Sequence, residues 1–281
     1  MDRLVVDSNG DIFAPQMILM VAMSNSEHST ALKFRDLKIC VLIPTYRNAQ
    51  FLPGVLDSVL AEVDDVIVVN DGSPDNTAEV LSAYTQRVEV ITHEQNQGKG
   101  RALISGFRRA AELGYKYVVT MDSDGQHRAS DLRKFADEVE AHPGALVVGA
   151  RTLSDKQLTQ GSGFANKFSN FWFAVHTLHR LPDTQTGFRI YPLDEVVNMP
   201  ICSSKYETEL EMLVRCAWKG VDVRSVAINV YYPDKSERVS SFRPARDFAR
   251  ISVLNTIFTF VAVLYGYPSM LVHYIIKKLR K

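Results

Sequence analysis

From Leu37 to Gly149, short apolar, β-branched runs alternate with longer stretches of helical periodicity. That alternation favours a parallel sheet built from βα units. I-C-V-L-I-P at 39–44, V-I-V-V-N at 66–70, V-E-V-I-T at 88–92, Tyr115 to Met121 and A-L-V-V-G at 145–149 predict five strands. Between them, Phe51–Leu60, Asp75–Tyr84, Lys99–Leu113 and Ala129–Ala141 predict helices, the second capped by Ser73 or Asp75. With 46% hydrophobic residues in 281, the chain can bury a sizeable core.

Open parallel sheets bind ligands at the carboxyl ends of their strands. Here the first strand runs into Pro44, Thr45 and Tyr46, the second into Asn70, Asp71, Gly72 and Ser73, and the fourth into Asp122 and Asp124. Each group alone is also ordinary turn chemistry; three polar strand ends in one half-domain favour a site. Asp122 and Asp124 stand at i and i+2, so an extended backbone points both carboxylates to one side. With Gln126 as a third oxygen they form a seat for Mg²⁺ or Mn²⁺, ions that complete their shell with water and substrate phosphates. The spacing by itself also fits a solvated turn or a helix cap. N-Q-G-K-G-R-A-L at 96–103 opens a helix and fits either a phosphate cradle or a tight turn with a basic helix start. It is neither a P-loop nor a dinucleotide fingerprint.

Lys plus Arg equals Asp plus Glu at 32 each, so no global field points to nucleic acid, and any anion site must be local. Cys40, Cys202 and Cys216 match neither a zinc site nor a redox pair and suit a reducing cytosol. Residues 1–37 lack a basic n-region, and the apolar run Met17 to Met23 is short for a secretory signal, so a mobile extension is expected there.

After V-A-I-N-V-Y-Y at 226–232, expected as a strand, Ile251 to Ile276 contains no Asp, Glu, Lys or Arg. Twenty-six such residues are long enough to cross a bilayer. Pro268 beside Gly266 predicts a break, however. Arg243, Arg246 and Arg250 before the run, and Lys277, Lys278, Arg280 and Lys281 after it, would keep both ends cytoplasmic. Ser252, Asn255, Thr256 and Thr259 draw a narrow polar stripe on the helix. The expectation for 236–281 is a monotopic anchor, in-plane or re-entrant, on the inner face of the cytoplasmic membrane; the alternative is a buried core helix.

The chain resembles glycosyltransferase family 2, and within it the dolichyl- and polyprenyl-phosphate sugar synthases, from about Lys38 to about Tyr232. The resemblance rests on I-P-T-Y-R-N (43–48), V-V-N-D-G-S-P-D-N-T (68–77), N-Q-G-K-G-R-A-L (96–103), M-D-S-D-G-Q-H (121–127), V-V-G-A-R (147–151) and T-Q-T-G-F-R (184–189), in the family's order. It implies a GT-A domain over 38–235: an α/β, Rossmann-like, mostly parallel sheet flanked by helices, followed by the apolar helical tail. It also implies that Pro44, Tyr46 and Asp71 line the nucleotide pocket, with Asp71 accepting hydrogen bonds from the base. Asp122, Asp124 and Gln126 would hold the metal on the donor diphosphate. Arg151 would face the transferred or acceptor phosphate, with Lys99 a second candidate for that anion. Arg47 followed by Asn48 departs from the family's usual Asn and acidic residue.

Glycosyl transfer builds negative charge on the leaving diphosphate, which a divalent cation stabilises. A phosphate monoester acceptor is already an anionic nucleophile and needs no base. A hydroxyl acceptor of a glycan or lipid needs a carboxylate in reach. Y-E-T-E-L-E-M-L-V-R at 206–215 offers Glu207, Glu209 and Glu211, with Glu209 the candidate base and Asp183 a lesser one; acidic residues in a first helical turn also simply suit the macrodipole. The expected function is a metal-dependent, inverting transfer of a hexosyl group from a nucleoside-diphosphate sugar to a lipid, polyprenyl phosphate first. A non-catalytic sugar-nucleotide binder would be expected to lose the Asp122, Asp124 and Gln126 set. A nucleotidyltransferase would need a Gly-rich arginine loop directly after the first strand, which is absent.

Overall fold

In the first strand every residue is buried, because side chains that alternate in direction meet apolar layers on both faces of the sheet. Ile39, Val41 and Ile43 join one hydrophobic layer, and Cys40 and Leu42 join the other. The computed structural model describes residues 5–6, 12–13, 30–151, 160–205, 207–231 and 244–279. Among them seven strands form one sheet: β1 (Ile39–Thr45), β2 (Val66–Asn70), β3 (Glu89–Thr92), β4 (Tyr117–Thr120), β5 (Leu146–Arg151), β6 (Arg189–Pro192) and β7 (Val223–Ile228). Their order is β3-β2-β1-β4-β6-β5-β7. All neighbours run parallel except β6, which is antiparallel to both β4 and β5.

Residues 30–37 form helix α1, with Phe34 1% exposed in the core, so the last part of the expected extension is packed against the domain. The helices that follow are α2 (Leu52–Leu60), α3 (Thr77–Ser82), α4 (Lys99–Glu112) and α5 (Leu132–Ala141), the last preceded by a 3₁₀ turn at Ala129–Asp131. α4 buries Ala102, Leu103, Gly106, Phe107 and Ala110, a stripe at helical spacing that lies on the sheet. α3 is shorter than expected. Asp75 bonds the N–H and hydroxyl of Thr77 from one residue outside the cap, and Ser73 Oγ receives the Arg47 N–H instead.

Beyond β5 come α6 (Gln160–Thr177), α7 (Leu193–Val196) and α8 (Glu207–Trp218). β7 begins and ends earlier than the run at 226–232; its first residues are half-exposed, and Arg224 pairs with Glu138, so its apolar signal is weak. Cys40, Cys202 and Cys216 are free thiols, and burial pushes Cys216 up to about 12.

The tail does not break at Pro268. α9 (Pro244–Val261) passes through a π-helical turn at Ala262–Gly266 directly into α10 (Tyr267–Leu279). A π turn shifts the hydrogen-bond pattern where the proline lacks an N–H, so the helix continues. Asn255, Phe258, Ala262 and Gly266 bury one face of it. Asn255 and Thr259, half of the polar stripe, face inward, the Asn255 carbonyl and the Thr259 hydroxyl meeting His176 of α6, while Val253, Ile257 and Phe260 are exposed. Gly266 lies so close to Trp218 of α8 that a Cβ there would be 2.4 Å from Nε1. From Leu271 to Leu279 every residue is exposed.

Candidate active site

The parallel strands β1, β2 and β4 bring their polar ends to one edge of the sheet. Asp71, at the end of β2, is buried with its carboxylate turned onto the chain's own donors. Oδ1 accepts from Gln97 N at 2.9 Å and meets His93 Nδ1 at 2.7 Å, and Oδ2 accepts from Gly98 N at 2.8 Å. A carboxylate has about four lone-pair positions, so one remains for a further donor. His93 in turn meets Ser105 Oγ on α4.

These bonds explain the glycines of 96–103. Gly98 has φ +97°, a conformation that L side chains rarely adopt, and its N–H reaches Asp71. At Gly100 a Cβ would stand 2.0 Å from Thr208 Oγ1, and its N–H donates to Ser204 O at 3.0 Å. The segment is a close-packed turn, and the backbone amides of Gln97, Gly98 and Gly100 already have partners within the chain.

The turn delivers Lys99 to the end of β4. Its ammonium lies 2.6 Å from Asp122 Oδ1 and 3.0 Å from Glu209 Oε2 at the start of α8. Burial disfavours the charged ammonium, but Asp122 and Glu209 outweigh it and hold Lys99 above its ordinary range. Burial likewise works against the Asp122 carboxylate, and Lys99 followed by His127 reverses this, holding it well below the usual carboxylate range. Asp124 is shifted the other way, raised first by burial and then by the charge of Asp122. Two carboxylates that crowd each other in this way suit a shared cation.

Among the described residues no group of three or more His, Cys, Asp or Glu side chains could hold a metal. A cation at this pair would have two carboxylates, and Gln126, water and ligand phosphates would fill the rest of its shell. The Gln126 backbone is fixed on both sides: its N–H donates to Asp124 Oδ1 at 3.0 Å, and its carbonyl accepts from Tyr231 N at 2.8 Å.

The T-Q-T-G-F-R motif forms the wall beside this pair. Thr120 Oγ1 donates to Gly187 O at 2.7 Å, which brings Gly187 against Asp122. Arg189 is fully buried and donates to Thr184 O, Thr186 O and Glu209 O, stapling the turn to the first turn of α8. The planar guanidinium can reach all three carbonyls at once. Glu211, also fully buried, takes Cys202 N, Ser203 N, Ser203 Oγ and Arg215 Nε, and so fixes the loop that meets Gly98 and Gly100.

The remaining expected residues have partners of their own. Arg151 is held by Asp183 through Nε and Nη2. Asp183 is buried and also accepts from Gln185 N, so it orients Arg151 and is poorly placed to accept a substrate proton. Pro44 is buried, Tyr46 is half-buried, and the Arg47 guanidinium lies 5.3 Å from the Tyr46 ring centroid. Arg47 has φ +57°, where the family's usual asparagine is far more at ease. Sequence reasoning missed His93 and the structural roles of Arg189 and Glu211. His93 directly follows a strand, the one signal that could have marked it.

A mostly parallel sheet, with one antiparallel strand beside a carboxylate pair at a strand end, is the arrangement of a GT-A fold. The chain belongs to glycosyltransferase family 2, whose profile matches residues 40–191. It is 31% identical over 205 residues to the polyprenol monophosphomannose synthase of Mycolicibacterium smegmatis, covering 67% of this chain and 75% of that protein. It is 27% identical over 223 residues to the UDP-N-acetylglucosamine–dolichyl-phosphate N-acetylglucosaminyltransferase of Methanococcus voltae, covering 72% and 88%. Among solved structures, glucosyl-3-phosphoglycerate synthase from Mycobacterium tuberculosis, in complex with Mn²⁺, uridine diphosphate and phosphoglyceric acid, superposes with a TM-score of 0.62. The two share 19% identity over 85% of this chain and 81% of that one.

Proposed function

We propose that this glycosyltransferase moves a hexosyl group, with inversion, from a nucleoside-diphosphate sugar to polyprenyl phosphate at a membrane surface. The Asp122 and Asp124 pair, set just beyond the end of β4 two residues apart, carries the reading: burial and then the charge of Asp122 raise Asp124, and a shared cation would relieve that repulsion. In this reading Asp122, Asp124 and Gln126 hold Mg²⁺ or Mn²⁺ against the donor diphosphate. Once bound, the cation serves as a Lewis acid for the negative charge that develops on the leaving group. Pro44, Tyr46 and Asp71 line the nucleotide pocket, with one lone-pair position of Asp71 left for the base.

The acceptor phosphate oxygen attacks the anomeric carbon as the bond to the leaving diphosphate breaks. The nucleophile is anionic at neutral pH, so no proton has to be removed. Arg151, oriented by Asp183, binds the acceptor phosphate. The names of the relatives, which carry dolichyl phosphate and polyprenol monophosphomannose, support this acceptor class.

The tail supports a lipid surface. Ile251–Leu279 is long and apolar enough to cross a bilayer, but its docked face is committed to Trp218. His273 also lies against Gly220 beyond the end of α8, so the length past that contact, Tyr274 to Leu279, is six residues, about 9 Å at about 1.5 Å per residue, or about a third of a hydrocarbon core. Inserted end-on, it would end inside the hydrocarbon and carry Lys277 and Lys278 into it. Lying in the plane, the helix buries Ile257, Phe260, Leu264 and Leu271 while the lysines reach headgroups. An inner, cytoplasmic leaflet fits its basic end.

A second reading, transfer to a hydroxyl with Glu209 as base, draws on Glu209 Oε1, which is buried without a hydrogen-bond partner. The two readings separate in one comparison: Glu209→Gln and the unchanged protein, each offered polyprenyl phosphate or a hydroxyl-bearing lipid. Turnover of the variant on the phosphate acceptor removes the base. Activity confined to the hydroxyl acceptor and lost in the variant removes the first reading.

A further inference from the structure

Lys99 and the proposed cation make conflicting demands on one carboxylate. If Asp122 is a cation ligand, as the reading above holds, its Oδ1 cannot keep an ammonium at 2.6 Å while a divalent ion sits at about 2.1 Å on the same group without strong repulsion. The structure offers the ammonium a second position. It already touches Glu209 Oε2 at 3.0 Å, and the neighbouring Oε1 is buried without a partner, a costly state for a carboxylate oxygen. The Gly187 backbone also lies against the ammonium, since a Cβ there would stand 2.7 Å from Lys99 Nζ. Arg189 donates to the Glu209 main-chain carbonyl, which fixes the backbone from which the receiving carboxylate projects.

We propose that Lys99 competes with the divalent cation for Asp122, and that Glu209 is the seat that receives the Lys99 side chain when the cation binds. Lys99 is then a positioning residue that keeps Asp122 paired before the ion and donor arrive. Glu209 acts through Lys99 and takes no proton from the acceptor. The Lys99 ammonium, held between both oxygens of Glu209, leaves Asp122 to the ion.

The test is Mn²⁺ binding to the full chain without substrate, followed by the loss of the free-ion electron paramagnetic resonance signal. Lys99→Met should tighten Mn²⁺ by about tenfold, because the competitor is gone. Glu209→Gln should weaken it by about tenfold, because Lys99 loses its second seat. In the Lys99→Met background, the Glu209→Gln step should shrink to less than about twofold. Lys99→Gln serves as a second neutral variant if the methionine variant does not fold. Weaker Mn²⁺ binding by the neutral variants would mean that Lys99 buttresses Asp122 as a metal ligand, and would overturn the proposal. An equal Glu209→Gln effect in both backgrounds would reduce Glu209 to a through-space charge and overturn its role as a seat. Absence of Mn²⁺ binding in the unchanged protein and in every variant would sink the metal site itself. Binding that is present and indifferent to every variant sinks this inference alone.

Discussion

Gly187→Ala tests how tightly the motif turn is fitted to the carboxylate pair. The added Cβ would lie 2.6 Å from Asp122 Oδ2, 2.7 Å from Lys99 Nζ and 2.9 Å from Asp122 Oδ1. Ordinary contact begins near 3.4 Å, so Asp122 Oδ2 or the turn must give by about 0.8 Å. The turn is anchored by Thr120 and Arg189, so the displacement falls on the side chains of Asp122 and Lys99. A misplacement of about 1 Å in a catalytic group costs about 100-fold in rate. Overpacking of this kind costs about 1–3 kcal/mol, and about 2–4 °C of melting temperature per kcal/mol. Transfer from labelled donor should therefore fall by about 100-fold, while the protein still folds and melts several degrees lower. A variant with full activity and an unchanged melting temperature would refute the placement of Gly187 against the carboxylate pair.

Arg47→Asn relieves a left-handed backbone conformation, and should raise stability by about 1 kcal/mol in denaturant unfolding even though the contact with Tyr46 is lost. Burial opposes the charge on Glu211, but its bonds to Ser203 and Cys202 and the Arg215 charge outweigh it and hold the carboxyl below its ordinary range. The stability it contributes is present above an ordinary carboxylate pKa and is lost as pH falls through the depressed value. Glu211→Gln should thus cost about 2–4 kcal/mol in urea unfolding at pH 7, with the gap to the unchanged protein narrowing below about pH 4. Gly266→Val drives a side chain into Trp218, and should expose the tail to proteolysis faster than the unchanged chain, at a cost of about 1–3 kcal/mol.

Much of the sheet was legible because β1, β2 and β4 are buried on both faces and leave unbroken apolar runs. β6 was not read as a strand. It is four residues long and antiparallel, and it begins on the last residue of the T-Q-T-G-F-R motif, the buried Arg189. The strand-end residues were visible because polar side chains after apolar runs have few structural reasons to be there. Their partners were not visible: Lys99 meets Asp122 and Glu209 only because β4 and α8 converge across the sheet, and spacing carries no record of that. The tail misled locally. Pro268 signalled a break, and a π turn absorbs it; Asn255 and Thr259 marked a polar face, and they face inward, where the Asn255 carbonyl and the Thr259 hydroxyl meet His176.

The most direct test incubates the purified chain with polyprenyl phosphate, Mn²⁺ and a panel of labelled nucleoside-diphosphate sugars, and counts the label that partitions into organic solvent. The expected result is an organic-phase product from one donor, abolished by chelation and by Asp124→Asn. Label that remains in the aqueous phase with every donor, or an organic-phase product that survives both treatments, would contradict metal-dependent transfer to a polyprenyl phosphate.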